Sequence, residues 1–236
     1  MLLPSTRPDK GIRMPDPAPS SPRRGRGERA GLDRDAIVAA ARGLDPEAVT
    51  MQAVADVLGV DRKALNHHVV GRQGLRELLA ADTFTRRFAE IHIDPRSDWR
   101  DACRAFAEGT RRALLASGNL ALQFRTASVS AVSAIRPAEA VIERMLAAGF
   151  DRVTAGRALL LLTTISAGFA RDEVIGRASG GHPQVAEFRD LMAHERPAGL
   201  DVLQELDESG FEAFSDEQFA FDVEAFVTAM EARLRG

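Results

Sequence analysis

Between Asp61 and Val69 the chain reads Asp-Arg-Lys-Ala-Leu-Asn-His-His-Val. On a helix this spacing turns Arg62, Lys63, Asn66 and His67 outward while Leu65 turns in. A carboxamide can match the donor and acceptor of an adenine edge, and cationic side chains meet phosphate oxygens, so the set suits a major groove. The preceding stretch, Thr50 to Leu58, carries helical periodicity. Two helices meeting at a steep angle need a small residue where they cross, and Ala55 supplies it. Gly59 follows four residues later, where a short turn needs a left-handed backbone. Val54, Leu58, Val60 and Leu65 complete an apolar wedge. The same offsets also describe a plain helical hairpin with a solvated polar face.

Other chemistry is poorly served. There is no His-Glu-x-x-His and no phosphate-binding loop, and Gly25-Arg-Gly27 does not follow a strand as a dinucleotide loop should. His67 and His68 point about 100° apart on a helix and cannot chelate together. His182 and His194 fall near loops without evident co-ligands, so no metal or cofactor is expected. The single cysteine, Cys103, excludes an intrachain disulfide, fits a reducing cytoplasm and lies on an apolar helix face that reads as core. An enzyme on this scaffold would have to work with lone groups such as Asp172 or Glu143.

These residues are positioned by an all-α chain. Residues 1–28 are rich in Pro, Ser, Gly and Arg and read as a disordered arm. Over residues 1–30, seven basic groups face three acidic ones, although the whole chain carries a net charge of -3. From Leu32 the periodicity becomes helical. Asp33 caps a helix ending near Gly43, and Asp45-Pro46 marks a turn. Helices follow at about 50–58, 61–69 and 73–89. Ser97 or Asp98 then caps a helix placing Trp99, Cys103, Phe106, Ala107, Thr110 and Leu114 on one face. Further helices are expected at about 119–131, 137–148, 152–174, 184–193 and 216–234. No period-2 run argues for a strand. The longest apolar run, Ala158 to Ala170, is shorter than the about 20 residues of a membrane span, so no membrane partner is expected. The organisation expected is an arm (1–28), a helix-turn-helix domain (29–80) and a larger helical domain (81–236).

The segment from Thr50 resembles the N-terminal domain of tetracycline-repressor family regulators. It carries the family's Thr-apolar-x-x-apolar-Ala-x-x-apolar-Gly-Val turn as Thr50-Met-Gln-Ala-Val-Ala-Asp-Val-Leu-Gly-Val60. Leu65-Asn66-His67-His68-Val69 and Arg72 stand where the recognition helix and a following lysine usually stand. Looser similarity continues through Trp99-Arg-Asp, Arg112-Ala-Leu-Leu115, Gly149-Phe150, Gly168 to Asp172 and Phe219 to Leu234. The resemblance implies groove-facing roles for Gln52, Arg62, Lys63, Asn66 and His67, and a phosphate contact for Arg72. It implies backbone or minor-groove contacts from Arg23, Arg24 and Arg26. It also implies a cytoplasmic homodimer, released from a near-palindromic DNA operator by a small effector. Three departures stand out: Asn66 replaces the usual tyrosine, Gln52 replaces an arginine, and the link before Thr50 is short by about four residues, roughly one helical turn. They permit a different operator. They equally permit a relative that no longer binds DNA and uses its C-terminal pocket for small molecules or turnover.

Phe84, Phe88, Phe106, Thr110, Leu122, Phe124, Thr126, Met145 and Leu146 lie on helices expected to converge as core or pocket. By the resemblance, ligand-contact positions fall on Phe88, Phe106, Phe124 and Ala127, with Thr110 and Met145 beside them. The metal-binding histidine is replaced, so a flat, largely apolar or aromatic effector is expected in place of a magnesium–tetracycline complex. Asp172 stands where an acidic residue reaches toward a partner's pocket. The helices 154–174 and 216–234 are apolar enough to form a four-helix dimer interface.

Overall fold

The computed structural model describes residues 32–44, 48–118, 135–195 and 199–235. Among them there are ten α-helices and no strand, as the periodicity predicts. By contacts the chain divides into residues 1–32 and 33–236, and all ten of these helices belong to the second unit.

The first four helices are α1 (Arg34–Arg42), α2 (Met51–Leu58), α3 (Arg62–Leu65) and α4 (Gly71–Ala89). Each of the first three starts at a side-chain cap. Asp33 accepts the Ala36 N–H at 2.7 Å, Thr50 accepts that of Ala53 at 3.0 Å, and Asp61 accepts that of Lys63 at 2.7 Å. Such caps satisfy N–H groups that the helix itself leaves open. Ile37, Val38, Ala41, Met51, Val54, Ala55, Leu65 and Leu75 close the small core of this head. α4 packs on α1 and α2 at its start and on α5 and α6 further along, so one continuous helix carries the chain through residue 80.

The body comprises α5 (Trp99–Ala116), α6 (Arg136–Ala147), α7 (Arg152–Ser179), α8 (Pro183–Glu195), α9 (Asp201–Glu208) and α10 (Asp216–Arg235). Its central member is α5, which touches α4, α6, α7 and α10. The face expected from the sequence is buried, including Trp99, Cys103, Phe106, Ala107, Thr110 and Leu114; Ala102, Gly109, Arg111 and Ala113 extend it. At Gly109 an added Cβ would stand 2.6 Å from the Ile91 side chain, so this position is filled by its neighbour. Burial pushes the Cys103 thiol up to about 12, which makes it an inert core residue.

Three arginines of α5 fasten the body from one side. Arg100 donates to Glu231, and Arg104 donates to both carboxylate oxygens of Glu224 at 2.6 and 2.8 Å. Arg111 is buried; it donates to Glu173 of α7 at 2.9 Å and to Asp216 of α10 at 2.5 Å. Its guanidinium also lies over the rings of Phe169 and Phe219, 5.1 and 4.8 Å from their centroids. Burial opposes the charge, but the bonds to Asp216 and Glu173 outweigh it and raise the guanidinium pKa.

Several boundaries differ from those the periodicity predicts. The helix expected at 61–69 stops at Leu65, and its tail winds on in tight turns, with the His67 N–H on the Ala64 oxygen and the His68 N–H on the Leu65 oxygen. α4 begins at Gly71, two residues early, and α9 lies outside the expected helices; its Val202, Leu203 and Leu206 recur at helical spacing, yet none of its residues is buried. The helix expected at 119–131 lies outside the described residues. α7 runs five residues past the expected 152–174 and reaches 28 residues, long and apolar enough to cross a membrane by length and composition alone. It is built into the body: Ala155, Leu162, Ser166 and Ala170 are fully buried, and α7 packs on α5, α6 and α10.

Two outcomes follow. Replacing Arg111 with alanine leaves the mostly buried Glu173 with Arg177 alone, 2.5 Å away, so the loss is expected to be about 2 kcal/mol, below the cost of a fully unpaired buried charge. The double change Arg111→Met with Glu173→Gln should restore more than half of that loss, measured by urea denaturation. The bond from Arg104 holds the Glu224 carboxyl below its ordinary range, and the Asp101 N–H does the same for Asp98. Groups depressed in the folded state stabilise above their unfolded pKa, and that stability is lost as pH falls through the folded value. The urea midpoint should therefore hold from neutrality to about pH 5 and decline below about pH 4, less steeply in Glu224→Gln. A variant as acid-sensitive as the parent would show that this pair contributes nothing.

Candidate nucleic-acid interface and ligand chamber

The turn between α2 and α3 is set by one residue. Gly59 adopts φ +64°, and the Val60 N–H returns to the Ala55 oxygen at 3.0 Å, closing the end of α2. Ala55 and Leu65 are fully buried at the crossing, with Val54 beside them. This fixes α3 with its polar side outward. Arg62, Lys63, Asn66, His67 and Arg72 are all exposed, and among the described residues their side chains have no hydrogen-bond or ion-pair partner. Gln52 is exposed too, but its amide donates to Asp56 at 2.8 Å. That bond orients the carboxamide one turn before the bend. Arg23, Arg24 and Arg26 lie outside the described residues.

Two contacts hold this surface against its supports. Arg34 donates to the His68 backbone oxygen at 3.2 Å, tying the start of α1 to the segment after α3. Arg42 donates from Nε to Asp82 at 2.9 Å and again through Nη2, locking the end of α1 to the middle of α4. Neither was visible in the sequence, because the partners are 34 and 40 residues apart. Nothing local marks an exposed arginine as a strut.

In the body, Phe88, Phe106 and Met145 meet in one core cluster. The Phe88 and Phe106 rings pack edge to face at 5.6 Å, and Phe84 joins them 5.2 Å from Phe88. Thr110 is buried one helical turn beyond Phe106, and its hydroxyl has no hydrogen-bond partner. A buried, unsatisfied hydroxyl in an aromatic wall can fix the polar group of an otherwise apolar molecule. Phe124 and Ala127, with Leu122 and Thr126, lie outside the described residues. Asp172 stands apart from this cluster. Paired with Arg171 at 3.2 Å, it lines a groove of about 720 Å3 between α7 and α10, beside Leu161, Ile165, Phe211 and Phe226. Leu160, Leu161 and Phe221 are more than half exposed along these two helices.

Among the described residues no group of three His, Cys, Asp or Glu side chains is placed to hold a metal ion. Asp172 and His182 line one groove of about 400 Å3 together with Glu173 and Arg177, whereas Glu143 and His194 line neither it nor the groove between α7 and α10.

The family model described as the tetracyclin repressor-like C-terminal domain matches residues 93–234. No curated protein matches in sequence. Solved structures similar to the chain include a possible TetR family transcriptional regulator from Streptomyces coelicolor A3(2), at 24% identity and TM-score 0.58, covering 85% of this chain and 99% of that one. ActR of Streptomyces coelicolor, in complex with (S)-DNPA, is similar at 18% identity and TM-score 0.62, with 86% and 99% covered. A TetR variant from Acinetobacter baumannii AYE, in complex with minocycline, is similar at 20% identity and TM-score 0.53, with 85% and 94% covered.

The geometry of the turn makes a quantitative expectation. A Cβ at Gly59 would meet nothing within 4 Å, so Gly59→Ala carries only the backbone cost of a left-handed residue. That cost is about 1 kcal/mol, read as a lower urea midpoint with the helical circular dichroism unchanged. An unaltered midpoint would mean that the turn does not depend on this conformation.

Proposed function

The chain belongs to the tetracycline-repressor family of transcriptional regulators, and we propose that it acts there as a ligand-responsive repressor. In this reading it binds a near-palindromic operator as a cytoplasmic homodimer and leaves it when a small, largely apolar effector occupies the body. The observation that carries the reading is the row of exposed, unpartnered side chains Arg62, Lys63, Asn66 and His67 behind a rigid glycine turn. Asn66 reads a base edge, Lys63 and Arg72 take phosphates, and Arg23, Arg24 and Arg26 reach the backbone or minor groove. Residues 29–80 form the reading head and residues 81–236 the effector and dimer domain, joined through α4.

The effector occupies the aromatic cluster of Phe88, Phe106 and Met145, with Thr110 supplying the polar contact, and Phe124 and Ala127 completing the wall. Two copies pair through α7 and α10, whose exposed Leu160, Leu161 and Phe221 are poorly suited to water. Asp172 then faces the partner. Two-fold pairing sets the reading helices about 34–36 Å apart, one turn of DNA. No turnover is proposed.

Fluorescence anisotropy with the DNA upstream of the chain's own gene, at two salt concentrations, tests this. Saturable binding is expected to resist excess unrelated DNA and to weaken as salt rises. Asn66→Ala should cost about 1–3 kcal/mol and relax preference at one base pair, whereas Lys63→Ala should weaken all sequences alike. Affinity no better than for random DNA at low salt would overturn the repressor reading. It would favour the alternative raised by the short α1–α2 link, a relative that only binds small molecules.

A further inference from the structure

A groove of about 630 Å3 lies between α1 and the first part of α4. Its floor is apolar, formed by Ala41, Leu75 and Leu79, with Leu44 and Val49 at one rim. Four arginines surround it: Arg42, Arg72, Arg76 and Arg86. Among the described residues its one carboxylate is Asp82, and that group is already engaged by Arg42 and by Arg86 at 3.2 Å. Arg72 and Arg76 are exposed, stand one turn apart on α4, and have no partner among the described residues. Like charges at this spacing repel one another, and an anion set between them removes the repulsion.

We propose that this groove binds a small amphipathic anion, a carboxylate, sulfonate or phosphate carrying an apolar tail. The head group sits on Arg72 and Arg76, where two guanidinium forks can share it. The tail covers Leu75 and Leu79. A DNA backbone phosphate brings no such tail, which is why the apolar floor favours a free small molecule. The walls belong to α1 and to α4, the helix that runs on into the body, so an occupant braces the same junction as Arg42 and Asp82. This site is separate from the aromatic cluster around Thr110, but it shares Arg72 with the phosphate contact proposed above, so an occupant competes with the DNA backbone for that guanidinium.

The test uses the full chain and 8-anilinonaphthalene-1-sulfonate, whose fluorescence reports binding, with decanoate and decanol as competitors. Decanoate is expected to displace the probe and decanol to fail at equal concentration. Arg76→Glu should weaken the probe by about tenfold or more, while Arg76→Lys, which keeps the charge but loses the fork, should fall between it and the parent. Arg112→Glu, on an exposed arginine of α5 outside this groove, should change nothing. Arg76 is exposed, so thermal melts should confirm that these variants are folded. Probe affinity indifferent to Arg76→Glu would overturn the proposal, as would affinity lost in Thr110→Val instead, which would put the probe in the core. An Arg76→Glu variant that keeps the probe but binds random DNA less tightly would also overturn it, assigning the groove to the DNA backbone.

Discussion

A guanidinium removed from water needs fixed partners, and Arg111 finds them by drawing three helices to one point through its Nε and Nη2 donors. Glu173 comes from α7, Asp216 from the first turn of α10, and the rings of Phe169 and Phe219 close over its faces. Helices packed only by alanine and leucine can slide, because one apolar contact serves nearly as well as the next. A buried charge with fixed partners has a single satisfactory register. Arg100 and Arg104 repeat the restraint toward the other end of α10, so α5, α7 and α10 hold their alignment along their length.

That alignment has consequences on both sides of α5. One side carries Phe106 into the cluster with Phe88 and Met145, and one turn further along α5 the buried Thr110 keeps an unsatisfied hydroxyl. On the outer side, α7 and α10 keep apolar residues in water, at Leu160, Leu161 and Phe221. A helix buried on one face and apolar on the other has no strong amphipathic stripe, which is why α7 looks uniformly apolar in sequence.

The reading head depends on a different kind of restraint. Its core is small, and α3 is a single turn held between Gly59 and the tight turns of residues 66–69. Its orientation is passed to α4 by surface struts, Arg34 on the His68 oxygen and Arg42 on Asp82. Exposed ion pairs are individually weak, so the head is the part of the described structure whose angle is cheapest to change.

The sequence by itself determined the helical class, the cap at Asp33 and a second at Ser97 or Asp98, the glycine turn and the outward set around α3. All of these are local: a cap acts within a turn, a positive φ within one residue, and a stripe within one helix. It also placed Phe88, Phe106 and Met145 on helices that share one core, because apolar faces on neighbouring helices have few alternatives to meeting. Tertiary structure alone decided that Arg111 is buried, that Arg42 belongs to Asp82, that Asp172 stands away from the aromatic cluster, and that four arginines gather around one groove. An arginine carries the same sequence signature whether it is solvated, paired or buried. Its role is set by which distant helix arrives beside it, and no local pattern contains that information.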